Sequence, residues 1–226
     1  IPGDKSISHR SIIIPSISNG ICEIKNILKS DDVMCTLNAF KDMGVKIEEQ
    51  NQNLLIFGNG LNSLKKSKNK IYLGNSGTSA RLLTGLLCSQ KFDTVLTGDE
   101  SLSKRPMKRI ADPLKKMNAF IETSDGKLPI NIRGRNLISS NIELKIPSAQ
   151  IKSGILLASL NTKGETNITE NKITRDHTET MLEAFGANIN ITKFESKKLI
   201  NVIGEKELIS KNIDVPNDLS SATHSS

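Results

Sequence analysis

Phe40-Lys41-Asp42-Met43-Gly44-Val45-Lys46-Ile47 has two counterparts further along the chain. They are Leu114-Lys115-Lys116-Met117-Asn118-Ala119-Phe120-Ile121 and Ala184-Phe185-Gly186-Ala187-Asn188-Ile189-Asn190-Ile191. Each reads as the end of an amphipathic helix, a turn and an alternating strand. Their starts lie about 70 to 74 residues apart, the signature of an internal repeat.

The surroundings repeat as well. Before each segment lies a helical pattern of apolar residues: Val33, Cys35, Leu37 and Phe40; then Met107, Ile110, Leu114 and Met117; then Thr178, Met181, Leu182 and Phe185. After each comes a second short strand, starting at Asn53, Leu128 and Leu199. Upstream, each copy opens with a loop of small residues that runs into a further helix. These loops are Pro2-Gly3-Asp4-Lys5-Ser6, Gly74-Asn75-Ser76-Gly77-Thr78 and Pro147-Ser148-Ala149-Gln150. A strand separates the two helices of each copy, starting at Cys22, Asp93 and Thr166. The unit is helix, strand, helix, strand, strand, with a linking strand into the next loop. Three copies, at about 1–70, 71–140 and 141–213, fill the chain. A unit of this size cannot bury both of its faces alone. The expectation is one α/β domain with pseudo-threefold symmetry.

Composition narrows the function. The chain has 226 residues, a formal net charge of +7, no Trp and one Tyr. The positive charge fits a solvated surface or a field that attracts anions. The shortage of aromatic rings argues against stacking on single-stranded nucleic acid. The densest basic run, residues 65–70, reads as a solvated loop. Cys22, Cys35 and Cys88 are odd in number and widely spaced, without a CxxC pair. That fits free thiols in a cytoplasmic protein better than disulfides or a metal site, with Cys35 and Cys88 as core residues. No apolar run reaches membrane-spanning length. The start at Ile1 in place of Met, and the stop where a new segment begins, are read as a domain taken from a longer protein. Residues 223–226 are read as a tail foreign to it.

The repeat places the three loop-to-helix junctions at one end of the domain. A helix N-terminus carries unpaired N–H groups and a positive dipole end, so it attracts anions. The alternative is ordinary capping, with Ser6, Thr78 and Ser148 as the cap residues. Lys5, Arg10, Arg81, Lys104, Arg105, Lys152 and Arg175 near the junctions favour an anion-binding surface for more than one anionic group. Neither a Walker loop nor a Rossmann glycine pattern occurs.

Four motifs carry a resemblance. Pro2-Gly3-Asp4-Lys5-Ser6-Ile7-Ser8-His9-Arg10 resembles the N-terminal signature of the 5-enolpyruvylshikimate-3-phosphate (EPSP) synthases. Gly74-Asn75-Ser76-Gly77-Thr78-Ser79-Ala80-Arg81 resembles their second signature, and residues 98–107 their segment with a phosphoenolpyruvate-binding Arg. Ser148-Ala149-Gln150-Ile151-Lys152-Ser153, with Thr174-Arg175-Asp176-His177, resembles the shikimate 3-phosphate segments of the bacterial-type enzymes. The four occur in the family's order across almost the whole chain.

The resemblance implies an enolpyruvyl transferase-like domain of three βαβαββ repeats, helices inside and mixed sheets outside. It implies an N-terminal domain over 1–222, with a hinge segment at 214–222 leading to an absent C-terminal domain. In that hinge Asn217 stands where the family usually has Gly. The implied reaction moves the enolpyruvyl group of phosphoenolpyruvate to the 5-hydroxyl of shikimate 3-phosphate, without cofactor or metal. Lys5, Ser6, Arg10, Ser148, Ala149 (through its backbone), Gln150 and Arg175 would hold shikimate 3-phosphate. Lys5, Gly77, Arg105 and Gln150 would touch phosphoenolpyruvate, with Lys5 joining in proton transfer. Gly77 keeps the small residue typical of glyphosate-sensitive forms. His9 and His177 are read as structural, and Asp218 is not taken as the acid. The implied partners are the two substrates and the absent domain, not nucleic acid or membrane. Two readings compete: a UDP-N-acetylglucosamine enolpyruvyl transferase-like domain, disfavoured by Ser6 after Lys5, and a non-catalytic anion- or nucleic-acid-binding module.

Overall fold

A computed structural model describes residues 2–219. The last six residues of the expected hinge and tail, and one before them, lie outside that range (220–226).

The middle unit shows the plan. It runs β4 (Ile71–Tyr72), α3 (Gly77–Leu87), β5 (Asp93–Thr97), α4 (Glu100–Ser103), α5 (Lys108–Lys116), β6 (Phe120–Ser124) and β7 (Lys127–Arg133). Its sheet has the order β4-β5-β7-β6, with β4 parallel to β5 and the other pairs antiparallel. The third unit repeats this with β8 (Asn141–Leu144), α6 (Ala149–Ser159), β9 (Glu165–Glu170), α7 (His177–Ala184), β10 (Asn188–Phe194) and β11 (Lys197–Ile203). Its sheet order is β8-β9-β11-β10.

The first unit contains α1 (Lys5–Ser16), β1 (Asn19–Lys25), α2 (Asp31–Asp42), β2 (Lys46–Gln50) and β3 (Asn53–Asn59). Its first strand comes from the far end of the chain. β12 (Ile213–Asp214) pairs parallel with β1, placing Ile213 against Ile24. The order β12-β1-β3-β2 therefore matches the other two sheets, and the ring of three units closes. The closure continues past β12. Val215 N–H donates to Lys25 O at 2.9 Å, and Asp4 N–H donates to Pro216 O at 2.8 Å. Asn217 accepts through Oδ1 from Asn26 Nδ2 at 2.9 Å, a contact that glycine could not make.

The layers follow from the hydrophobic pattern. α1, α3 and α6 are buried along nearly their whole length, as helices without a polar face must be. They form the centre. α2, α5 and α7 bury one stripe each: Val33, Leu37 and Phe40; Ile110 and Leu114; Thr178 and Leu182. The strands alternate, as in the buried Leu54 and Ile56 of β3 and Ile130 and Ile132 of β7, so each sheet has an inner and an outer face. The expected three-repeat α/β fold, helices inside and mixed sheets outside, is the one observed. At the centre α3 and α6 touch through two glycines. A β-carbon on Gly85 would stand 1.9 Å from Gly154 O, and one on Gly154 would stand 2.8 Å from Arg81 O. Only residues without a side chain allow that approach.

Two local expectations are corrected. Cys35 is half-buried, its sulfur against the loop at Gly74, while Cys22 joins Cys88 in the core. The helical stripe of α2 passes through Thr36 and Leu37 in place of Cys35, because burial follows the actual turn of the helix. The sequence offers Pro106 as a first helical residue, which its fixed φ suits, but no helix starts there. It lies between α4 and α5, whose N-terminal flank is Met107.

Candidate functional site

The first turns of α1, α3 and α6 line two adjoining cavities. Their caps explain why the side chains there face outward. Asp4 Oδ1 accepts from Ile7 N–H at 2.9 Å, Ser76 Oγ from Ser79 N–H at 3.1 Å, and Ser148 Oγ from Ile151 N–H at 3.2 Å. The sequence points to Ser6 and Thr78 as caps. Both lie two residues further in and line the cavities. Asp4 and Ser76 win because they stand in extended backbone, which aims the side chain back at the third amide.

The larger cavity, about 530 Å³, is lined by Ser6, Arg10, Thr78, residues 147–150, residues 173–175 and His177. Arg10 is 3% exposed. Its guanidinium donates to Thr178 Oγ1 at 2.7 Å, to Ser6 O at 2.9 Å and to Ser153 Oγ at 3.0 Å. Burial lowers its pKa to about 10, so it remains a cation at neutral pH. Arg10 thus ties α1 to α6 and α7 and still has N–H groups to offer. Arg175, which is exposed, lines the same cavity.

The smaller cavity, about 260 Å³, is lined by Lys5, Ser6, Asp32, residues 75–78, Arg105 and Gln150. Lys5 Nζ pairs with Asp32 Oδ2 at 2.6 Å. Arg105 Nη2 donates to Asn75 Oδ1 at 2.8 Å. Ser6, Thr78 and Gln150 belong to both cavities. The Gln150 amide is fixed at each end: Oε1 accepts from Arg81 Nη1 at 2.8 Å, and Nε2 donates to Thr78 Oγ1 at 3.0 Å.

Gly77 is small for a reason visible here. A β-carbon there would stand 2.8 Å from Arg81 Nη1 and 2.9 Å from Arg105 Nη1. Two guanidiniums thus close on the N-terminus of α3. Burial lowers the Arg81 pKa, and repulsion from Arg105 and Arg109 adds to it. Like charges gathered at a helix N-terminus favour an anion between them.

The expected residues divide between the two cavities, except that Lys5, expected with both substrates, lines only the smaller one. Ser6, Arg10, Ser148, Ala149, Gln150 and Arg175 meet in the larger cavity, and Lys5, Gly77, Arg105 and Gln150 in the smaller one. Two of the neighbouring cations do not take part in this way. Lys104 is exposed and pairs with Glu100 at 3.4 Å, because its helix turns it to solvent. Lys152 is 0% exposed, on the inner face of α6. Asp32 and Asn75 carry the cations of the smaller cavity without having stood out in the sequence. The signal for Asp32 was the acidic start of α2, which also reads as ordinary helix chemistry. His9 is buried with Nδ1 2.8 Å from Thr36 Oγ1, and burial pushes its pKa down to about 4. The ring is neutral at pH 7 and touches neither cavity. His177 lines the larger cavity, with its pKa lowered by burial and then by Arg10. Among the described residues no helix is long and apolar enough to cross a membrane.

The chain is 52% identical over 223 residues to a 3-phosphoshikimate 1-carboxyvinyltransferase of Ruthia magnifica subsp. Calyptogena magnifica, covering 98% of this chain and 50% of that protein. It is 47% identical over 224 residues to the protein of the same name from Alkaliphilus metalliredigens, covering 98% and 52%. The solved EPSP synthase of Acinetobacter baumannii superposes with a TM-score of 0.92 at 49% identity, covering 98% of this chain and 50% of that one. The chain spans about half the length of the curated relatives it matches. The profile of the EPSP synthase (3-phosphoshikimate 1-carboxyvinyltransferase) family matches residues 1–225, and the chain belongs to that family.

Proposed function

We propose that this chain is the substrate-binding half of an enolpyruvyl transferase that joins phosphoenolpyruvate to the 5-hydroxyl of shikimate 3-phosphate and releases phosphate. The observation that carries the reading is the pair of cationic cavities sharing Ser6, Thr78 and Gln150. Two anionic substrates that react with each other need adjoining sites with a common wall.

The larger cavity takes shikimate 3-phosphate. Arg175 and Arg10 face its phosphate, while the Ser6 and Ser148 hydroxyls, the Ala149 backbone and Gln150 orient the ring. The smaller cavity takes phosphoenolpyruvate against Arg105, Lys5 and the backbone at Gly77. The 5-hydroxyl loses its proton and adds to C2 of phosphoenolpyruvate as C3 gains a proton; the tetrahedral adduct then loses phosphate from C2 and a proton from C3, which restores the double bond. Lys5 lines the smaller cavity next to Ser6, which both cavities share, and helps to move the hydroxyl proton. Both cavities are open, and the complementary half of the longer protein closes over them and supplies the remaining groups. The antiparallel bridge between Gly3 and Asn217 supports a hinge beside these two residues.

The test is phosphate release from phosphoenolpyruvate in the presence of shikimate 3-phosphate. This chain alone gives none above background, and adding the complementary half restores it. Turnover by this chain alone, or none from the reconstituted pair, contradicts the reading.

A further inference from the structure

Four charged side chains lie buried beside the larger cavity. Lys152 is on α6, Glu170 ends β9, Glu179 is in α7 and Lys198 is on β11, all at most 2% exposed. Lys152 Nζ lies 3.1 Å from Glu170 Oε1 and 3.0 Å from Glu179 Oε2. Lys198 Nζ lies 2.5 Å from Glu179 Oε2 and 3.9 Å from Glu170 Oε2.

Stability does not explain such a group. Removing ions from water costs about as much as their pairing returns, and well-packed apolar side chains do as well. This quartet also leaves Glu179 Oε1 buried without a hydrogen bond. What distinguishes it is where its further hydrogen bonds go. Lys152 Nζ donates to Arg175 O at 2.9 Å and to Thr174 O at 3.4 Å. Glu170 Oε1 accepts from the Thr174 amide at 3.3 Å and from its hydroxyl at 2.5 Å. All four bonds end on the turn that carries Thr174 and Arg175 into the larger cavity. That turn lies between the end of β9 and the start of α7 and has no regular backbone pattern of its own. Beside Glu179, Thr178 accepts from Arg10, so the second cavity cation leans on the same helix.

We propose that the buried quartet is a positioning device that holds the Thr174 and Arg175 turn, and so sets Arg175 for a phosphate monoester. The proposal rests on the reading that the larger cavity takes shikimate 3-phosphate. Lys152 and Glu170 act through Arg175 and do not touch the ligand. The reason for a clamp is geometric. Arg175 approaches from an exposed turn, and a guanidinium displaced by a fraction of its reach loses its bidentate grip on phosphate.

The test uses the paired variant Lys152→Met with Glu179→Gln. It removes one charge of each sign and leaves Lys198 facing Glu170, so no unbalanced buried ion threatens the fold. In the unliganded chain, amide hydrogen exchange at residues 174–177 speeds up about tenfold or more, while the interior amides of α6 keep their protection. In a calorimetric titration, shikimate 3-phosphate binds about tenfold or more weakly. Arg175→Ala weakens binding too, and adding the paired variant to it gives no further loss, because both act through one side chain. Unchanged exchange, wild-type affinity in the folded paired variant, or a loss that adds in full to that of Arg175→Ala overturns the proposal. If the wild-type chain takes neither shikimate 3-phosphate nor inorganic phosphate, the reading of the cavity fails. The exchange measurement still decides the clamp.

Discussion

Single residues at this site are constrained by distance. Gly77→Ala puts a methyl group at 2.8 and 2.9 Å from the ends of Arg81 and Arg105. Both contacts are flexible tips, so the fold adjusts, with a stability change within about 1 kcal/mol in urea unfolding. The guanidiniums retreat, and phosphoenolpyruvate binding weakens while shikimate 3-phosphate binding does not. Equal loss of both ligands contradicts this. Arg10→Lys acts differently. A single ammonium cannot reproduce three directed bonds, so the variant loses about 1–3 kcal/mol of stability and part of its phosphate affinity. His9 gives a pH effect of known sign. Its pKa falls from 6.5 to about 4 on folding, so the unfolded chain takes up the proton first. Stability is complete above pH 6.5 and falls between pH 6.5 and about pH 4, by at most about 3 kcal/mol. The difference in unfolding free energy between the wild type and His9→Asn, measured at pH 7 and pH 4.5, isolates this residue. A difference that does not change with pH contradicts the assignment.

At the scale of elements, the sequence shows types and order far better than it shows which atoms face where. The turn and strand after Phe40, Leu114 and Ala184 announce the repeat, because helix and strand periods are local properties. The cap shift from Ser6 to Asp4 and from Thr78 to Ser76 was not legible. All four residues are of types that cap well, and backbone angle decides between them. Lys152 misled for a similar reason. It looks like one more cation near a loop, and only the meeting of α6, α7, β9 and β11 buries it with two carboxylates. Nothing in the sequence marks out Gly85 and Gly154, yet they set the contact between α3 and α6. Gly85→Ala drives a methyl group into the Gly154 carbonyl and costs about 3 kcal/mol or more, visible as a lower urea midpoint. A midpoint unchanged from wild type would show that the two helices can part without cost.

At the scale of the whole molecule, the three units become one body because the chain end supplies the strand that the first unit lacks. β12 and the segment after it cover the edge of β1, and Val215 is buried at 1% exposure. A chain ending at residue 212 uncovers that edge, lowers the thermal midpoint and promotes association. The same closure brings the loops of all three units to one end, where no single unit could build either cavity. The decisive measurement is amide NMR of the chain titrated with shikimate 3-phosphate, with shikimate as the control. If the larger cavity holds the phosphorylated ligand, saturable shifts appear at residues 6–10, 148–152 and 174–177 and are stronger for it than for shikimate. A folded spectrum with equal shifts for both ligands, or shifts confined to other surfaces, would contradict it.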